Sequence, residues 1–250
     1  MKILVIIHQI LDPAGLMVNR KAGKVFINRE EYMINPADKR ALDAALAIQD
    51  SGDAVVTAAS VGPARAADAL RQARALGANR AIHLLADSAD EATAARALAA
   101  LCNSPTLGGF DLILTGDSAL DTGAAIGPRL AEALNFAFLG NAVHCSLAGN
   151  VIRVVKGGGK ELQAYEADLP AVVTLNRNAA VATRYAHGGN IITTYRDSDA
   201  VETMTLADLG LSEADLQPAL AERGQSFPPE REFGKQVTLE DVADVLKNRD

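Results

Sequence analysis

The sequence has no tryptophan, and aromatic residues make up only 4% of its 250 residues. Aliphatic side chains must therefore form the core, and at 49% hydrophobic residues they suffice for a soluble globular protein. Cys102 and Cys145 stand far apart and outside any Cys-x-x-Cys motif. They predict free structural thiols in a reducing compartment. Lysine and arginine do not cluster and the formal net charge is −7, which argues against a nucleic-acid partner.

Long apolar runs are also missing. A membrane-spanning helix needs roughly 20 apolar residues, and no stretch approaches that length, so we expect no membrane insertion. The first ten residues, MKILVIIHQI, carry one lysine, and no cleavage site follows their short apolar run. They predict a first strand and not a signal peptide. The expected location is cytoplasmic, and the length allows one large domain or one domain with an appendage.

Strands and helices alternate through the first half of the chain. Strands are predicted at 2–7, 54–61, 80–85 and 111–115, and helices at 36–51, 63–77, 90–102 and 124–134. Asn35 is the expected N-cap of the first helix, because Pro36 suits the first helical position. This alternation predicts the α/β class, with an open parallel sheet covered by helices on both faces.

The pattern changes after Leu139. Short alternating runs separated by AGN and KGGGK predict one or two antiparallel hairpins, followed by a last core strand at 171–176. Beyond residue 178 only short helices are predicted, at 206–209, 212–222 and 239–247. We therefore divide the chain into an α/β nucleotide-binding domain, 1–177, and a partner-recognition loop with a C-terminal arm, 178–250. Isolated helices are marginal, so the arm must pack over this domain or on another chain.

The candidate ligand site lies at the carboxyl ends of the predicted strands, where open α/β sheets bind ligands. These ends fall at 6–8, 60–63, 86–88 and 116–127. Glycines at 116, 123 and 127 either let backbone N–H groups approach a ligand or only make tight turns. The N-terminus of the following helix favours an anion. The residues alone therefore predict a nucleotide-sized site.

Catalytic and metal-binding patterns are weak. The four histidines share no metal-ligand spacing, and we predict no metal. Asp117 and Asp121 could hold a cation, but a solvated loop that caps a helix is the simpler interpretation. Ser118 has no nucleophile-elbow pattern, so a hydrolase acting through the Gly116 loop is a weak alternative. KGGGK is not followed by Ser or Thr and suits a hairpin turn better than a P-loop.

Several segments, in order and spacing, resemble the β subunit of the electron transfer flavoproteins. They are MINPADKRALDAAL at 33–46, SVGPARAADALRQARALGANRAIHL at 60–84, GDSALDTGAAIGPRLAEAL at 116–134, and LPAVVTLN at 169–176 followed by RYA at 184–186. The resemblance covers nearly the whole chain.

This resemblance implies an adenine-nucleotide α-hydrolase-like sheet and a heterodimer with an α subunit. It implies FAD between the subunits, held mainly by α, and a structural AMP in the β subunit. An electron carrier of this kind is not an enzyme and has no catalytic residues of its own. The implied AMP contacts are Ile6, Asn35, Pro36, Ala37, Asp38, Val61, Gly116, Asp117, Ser118, Ala119, Leu120, Asp121, Thr122, Gly123, Ala124, Ala125, Ile126 and Gly127.

Within the family, a bifurcating form would hold a second, redox-active FAD in place of AMP. Outside it, the alternative is a homodimeric nucleotide-binding protein similar to the universal stress proteins, which leaves the arm unexplained.

In the family a leucine after RYA anchors the donor dehydrogenase and a lysine run follows. The corresponding residues here are Arg184, Tyr185, His187, Gly188, Asn190 and Ile191. Without that leucine and those lysines we expect a dedicated donor, unless Ile191 or Ile192 is the anchor. The acceptor could be a membrane quinone oxidoreductase.

Overall fold

The computed structural model describes residues 1–52, 54–86, 89–119, 125–158 and 161–216. The strands of these residues are β1 (Lys2–Ile6), β2 (Gln9–Leu11), β3 (Leu16–Asn19), β4 (Lys24–Ile27), β5 (Tyr32–Ile34), β6 (Val55–Gly62), β7 (Arg80–Leu85), β8 (Leu112–Gly116), β9 (Ala137–Ala148), β10 (Val151–Gly158), β11 (Glu161–Asp168), β12 (Ala171–Leu175) and β13 (Glu202–Met204). The α-helices are α1 (Pro36–Ser51), α2 (Ala67–Leu76), α3 (Glu91–Cys102), α4 (Ile126–Leu134) and α5 (Gly188–Arg196).

Nine of these strands form one sheet in the order β11-β10-β9-β12-β8-β1-β6-β7-β13. In this spatial order, each neighbouring pair from β9 through β12, β8, β1, β6 and β7 to β13 is parallel. At the other end of the sheet, β10 pairs antiparallel with both β9 and β11. The chain runs outward from β1 through β6 to β7 and then returns to β8 on the other side of β1. This reversal makes the gap between β1 and β8 the topological switch point of the sheet.

Helices cover both faces of the sheet, as predicted. Along β1, the side chains of Ile3 and Val5 share a buried cluster with α1 and α2, whereas those of Leu4 and Ile6 share one with α3 and α4. Successive side chains of a strand point to opposite faces, so an apolar run buries both. The predicted strand and helix boundaries in this half agree with the structure to within two residues, except at the start of α2. That helix was predicted from residue 63 but begins at Ala67, after a 3₁₀ turn at Ala64–Ala66.

The predicted hairpins are confirmed. β9 turns into β10 and β10 into β11 with antiparallel pairing, and β12 then returns between β8 and β9. The hairpins extend the central sheet, so they are not a separate layer. β11 is its exposed edge, where Leu162 is 74% exposed.

The described part of the arm packs on the same chain. Glu202–Met204 adds strand β13 beside β7, and Leu206, Leu209 and Leu211 pack against the cluster that contains α3. These three leucines therefore find their apolar surface within the chain itself. The predicted helix at 206–209 is a 3₁₀ turn, Ala207–Leu209, and that at 212–222 starts as another, Glu213–Leu216. Its remainder and the helix at 239–247 lie outside the described residues.

Residues 9–34 leave the sheet between β1 and α1 and form two small antiparallel sheets, β2–β5 and β3–β4. The strands predicted from sequence do not include these four. Among the described helices, none is long and apolar enough to span a bilayer. Both cysteines are free, and burial raises the pKa of Cys102 to about 12 and that of Cys145 to about 11.

Candidate functional site

The candidate site is the crevice at the carboxyl ends of β1 and β8, formed by His8, Asn35, Asp38 and residues 116–118. Because β1 and β8 are neighbours on opposite sides of the switch point, their ends meet here. The first turn of α1 closes the crevice between them. Of the four strand ends predicted from sequence, the one at 6–8 and the described start of the one at 116–127 are thus brought together. The ends of β6 and β7 lie farther along the same edge.

Asp38 links the two strand ends. Its Oδ2 accepts the backbone N–H of His8 at 2.9 Å, and its Oδ1 accepts that of Gly116 at 2.6 Å. The Asn35 side-chain amide and the Thr115 hydroxyl also donate to this carboxylate, at 3.2 and 3.3 Å. The residue is 3% exposed. A buried carboxylate with donors from both strands therefore holds the crevice together.

Burial raises the pKa of Asp38 above its ordinary value of 3.8, because the apolar surroundings disfavour the charged form. The backbone N–H of Gly116 opposes this effect most strongly, and the neighbouring His8 and the amide of Asn35 add to that opposition.

Asn35 precedes α1 as predicted, but its side chain makes no capping hydrogen bond. Instead Nδ2 donates to the carbonyl oxygen of Ser118 at 2.8 Å and to Asp38. The same side chain therefore ties the loop after β8 to the start of α1.

Two of the three predicted glycines are needed for packing. A Cβ on Gly116 would lie 2.6 Å from the Ala37 Cβ, and one on Gly127 would lie 2.4 Å from Cγ2 of Thr174. The backbone N–H of Gly116 is bonded to Asp38, so it does not face an open ligand space. The role of these glycines in ligand approach stays a prediction, and Gly123 lies outside the described residues.

The loop after β8 is oriented by Asn176, a residue that sequence reasoning missed. Asn176 follows β12 and donates through Nδ2 to Oδ2 of Asp117 at 3.1 Å. Its position directly after a core strand was the available signal. Ser118 Oγ donates to Oδ1 of Asp117 at 3.1 Å. In the established catalytic triads a histidine activates the serine, so this arrangement gives the hydrolase alternative no support.

The N-terminus of α4 receives no cap from the side chain of its N-cap residue. Ala125 is the N-cap residue and makes no side-chain capping bond. Unpaired N–H groups and the helix dipole favour an anion at such a position. Residues 120–124 precede it and carry the predicted contacts Leu120, Asp121, Thr122, Gly123 and Ala124, which lie outside the described residues.

The remaining predicted contacts line the same edge. Ile6 is buried, and Val61 and Ile126 are partly buried against its cluster on the α3–α4 face. Pro36 and Ala37 begin α1 opposite Gly116, and Ala119 is half-buried. No group of three metal-ligating side chains occurs within the described ranges.

The predicted partner segment is tied to α1 by charged groups, which we call the latch: Lys39, Arg40, Asp43 and Asp50. Arg40 donates to the Thr183 hydroxyl at 2.6 Å and to the Val181 carbonyl at 3.3 Å. Lys39 pairs with the buried Asp43 and also donates to the Arg184 carbonyl at 3.3 Å. The latch thus fixes the backbone that leads into α5.

Arg184 completes the attachment. Its backbone N–H donates to Asp43 at 3.3 Å, and its guanidinium pairs with Asp50. Beyond it the segment is exposed: Tyr185 by 86%, Ile191 by 42% and Ile192 by 54%. His187 is the N-cap of α5 and accepts the Gly189 N–H, and Gly188 and Asn190 lie in its first turn. The predicted loop is therefore a short helix with exposed aliphatic side chains.

We expect Asp43→Ala to lower the free energy of unfolding by about 2 kcal/mol, because it removes a buried acceptor of charged and backbone donors. Urea unfolding followed by circular dichroism measures this. The control is Asp68→Ala, which breaks the exposed Asp68–Arg71 pair on α2 and should cost less than about 0.5 kcal/mol. Equal losses in the two variants would show that the latch contributes no more than a surface ion pair.

Comparison with known proteins connects this geometry to a family. The sequence profile described as electron transfer flavoprotein domain matches residues 23–186. The electron transfer flavoprotein subunit beta of Bacillus subtilis is 28% identical over 217 residues, which cover 86% of this chain and 83% of that protein. The mitochondrial beta subunit of Oryza sativa subsp. japonica is 31% identical, covering 99% and 98%. Protein FixA of Azorhizobium caulinodans is 32% identical, covering 70% and 66%.

Proposed function

We propose, from the premise that this chain belongs to the electron transfer flavoprotein family as one of its beta subunits, that it works in a heterodimer with an α subunit. The heterodimer carries electrons from a donor dehydrogenase through FAD to an acceptor, for which a membrane quinone oxidoreductase is a candidate. The chain is the carrier's scaffold and has no catalytic set of its own. We retain the cytoplasmic location as a prediction from sequence.

We further propose that the crevice holds an AMP that takes no part in the reaction. The observation that carries this is the uncapped N-terminus of α4 beside the switch point. The backbone N–H groups of Ile126 and Gly127, which receive no cap from Ala125, suit a phosphate, whereas those of His8 and Gly116 are already bonded to Asp38. Ile6, Val61 and Ile126 supply apolar surface at the same edge, which suits a base. The residues present therefore fit an adenine nucleotide.

FAD shared with the α subunit would supply the redox chemistry, since its ring accepts and passes on electrons. The chain's part is to bind the partner, position the docking segment and keep the nucleotide in place. The runner-up is a second FAD in the crevice, because the same phosphate-binding groups would suit its adenylate half. Membership in the family counts against the homodimeric alternative.

The identity of the bound nucleotides tests the proposal. Heat denaturation of the purified heterodimer followed by chromatography should release one FAD and one AMP per heterodimer. Two FAD and no AMP would establish the bifurcating alternative. Release of no adenine nucleotide besides the shared FAD would contradict binding in the crevice.

Substitution at Ala125 tests where the nucleotide lies. Ala125→Asp is expected to lower AMP occupancy about tenfold, because a carboxylate at the N-cap can bond the Gly127 N–H and repels a phosphate. Ala125→Ser can cap without a charge and should keep at least half of the AMP. The melting temperature should not fall in either variant, and the shared FAD should be unaffected. Equal AMP content in the two variants would show that the phosphate does not lie at α4.

A further inference from the structure

The hairpin of β3 and β4, which we call the ribbon, exposes every one of its apolar side chains. Their exposed fractions are 40% for Leu16, 55% for Met17, 53% for Val18, 51% for Val25, 46% for Phe26 and 58% for Ile27. Neighbouring apolar exposure on this scale marks an interaction site in a soluble protein. A two-stranded hairpin alone is also marginally stable in water, so the ribbon gains from a partner.

The two faces of the ribbon are both apolar. Leu16 lies opposite Ile27 and Val18 opposite Val25 on one face, while Met17 lies opposite Phe26 on the other. Packing on a flat surface would cover only one of them. The ribbon is therefore shaped for a cleft that encloses it from both sides.

The tip of the ribbon is cationic. Arg20, Lys21 and Lys24 lie at the turn or next to it, all exposed, and no acidic side chain occurs between residues 16 and 27. Insertion of the tip into a lipid bilayer would carry these charges into hydrocarbon at high cost. A protein cleft with acidic groups at its closed end satisfies the tip and the apolar faces together.

A second copy of this chain would cover the tip and the two apolar faces of the ribbon less well than a different protein. A symmetric contact between two ribbons, face to face, covers one face of each and leaves the other in water. A contact between the ribbon and a different surface of another copy is head-to-tail, which forms rings or open filaments instead of a closed dimer. A different protein is therefore the better occupant.

The base of the ribbon is anchored beside the crevice. Gln9 Nε2 donates to the Arg65 carbonyl at 3.0 Å, and the Arg65 guanidinium lies 4.5 Å from the ring centre of Tyr32. The N–H of Asn35 donates to the His8 carbonyl at 2.9 Å and so joins the two ends of the segment 9–34, which contains the ribbon. A protein that encloses the ribbon must therefore sit near the mouth of the crevice.

We propose that the ribbon is an arm that inserts into an apolar, acid-ended cleft of the partner subunit and clamps that subunit beside the crevice. This rests on the proposed function, since it identifies the occupant as the FAD-carrying subunit. The six apolar side chains set the affinity, and the three cationic side chains steer association.

Isothermal titration of the purified chain with its partner subunit tests this. Met17→Ser with Phe26→Ser, and separately Val18→Ser with Val25→Ser, should each raise the Kd about tenfold. Leu162→Ser is the control, because it removes an even more exposed aliphatic side chain from β11, and its Kd should stay within threefold of wild type. Arg20→Gln with Lys21→Gln should slow association and reduce its dependence on salt. Melting temperatures should be unchanged, since all of these side chains are exposed.

Wild-type Kd values in both face variants would overturn the proposal. So would ribbon-dependent self-association of the chain alone in sedimentation, which would make a second copy the occupant. Ribbon-dependent binding of the chain to vesicles of phosphatidylglycerol and phosphatidylcholine, with the affinity for the partner subunit unchanged by the ribbon variants, would also overturn it and would make a lipid surface the occupant. FAD and AMP contents of the wild-type complex are measured separately, so a complex that forms through the ribbon but lacks FAD would contradict the proposed function alone.

Discussion

Replacing Asp38 with alanine is expected to lower the free energy of unfolding by about 3 kcal/mol. The substitution leaves the backbone N–H groups of His8 and Gly116 without their acceptor, and each buried unpaired donor costs about 1–3 kcal/mol. Urea unfolding at neutral pH measures the loss, with the exposed Asp68→Ala as control. A loss below about 1 kcal/mol would show that water or a shifted side chain replaces the carboxylate.

The isosteric Asp38→Asn adds a test of charge. Because the folded protein raises the pKa of Asp38, the protonated form is favoured on folding, and this contribution is fully present below the ordinary value of 3.8. It is lost as pH rises through the higher pKa of the folded state. The stability of wild type relative to Asp38→Asn should therefore fall with pH across that window. A difference that grows with pH would mean that the carboxylate is stabilised in its charged form.

The sheet and its helices could be predicted because their patterns are local. The run Ile3–Ile7 is apolar at every position, which is typical of a strand buried on both faces. Pro36 and Gly52 mark the ends of α1, and Asp90 caps α3 through the Thr93 N–H. The alternation also predicted that the ligand site lies at the carboxyl ends of the strands, whereas the switch point between β1 and β8 became visible only from the strand order in the structure.

The role of Asp38 could not be predicted from its surroundings in the sequence. An acidic residue in the first turn of a helix is usually explained by the helix dipole. Here it accepts the N–H of His8, just after β1, and the N–H of Gly116 at the end of β8, which is 78 residues away in the chain. Only the pairing of the strands brings those donors together. The same holds for Asn35, which looked like a simple cap.

Helix α5 was missed because its residues argue against a helix. It begins at Gly188-Gly189 and continues through Ile191, Ile192 and two threonines, which have weak helix propensity. None of its side chains is fully buried, so no apolar period marks it. Contacts with α2 and the latch on α1 hold it in place. The ribbon gave no alternating pattern for a related reason, since both of its faces are apolar.

The exposed pair Ile191 and Ile192 bears on how the donor is recognised. The sequence left two expectations: a dedicated donor, because Gly188 and Gly189 stand where the family has an anchoring leucine, or a shift of the anchor to one of these isoleucines. Their exposure on a helix whose base is fixed by the latch supports the second. A rigidly placed aliphatic side chain can enter a pocket of the donor at little entropic cost.

The double variant Ile191→Ala, Ile192→Ala is therefore expected to raise the KM for the donor about thirtyfold with little change in kcat, because truncation of a buried anchor costs about 2 kcal/mol. A medium-chain acyl-CoA dehydrogenase reduced by its substrate serves as the donor, and reduction of the heterodimer's flavin is followed by absorbance. Leu162→Ala is the control, since that aliphatic side chain is even more exposed and lies on a different element, β11. If the wild-type heterodimer is reduced rapidly and the double variant is reduced equally well, the shifted anchor is contradicted.

If this dehydrogenase fails to reduce the wild-type protein at any concentration, a dedicated donor follows. Because Arg196 is the one basic residue in the last turn of α5, such a donor would have to recognise the helix by shape and apolar contact more than by charge.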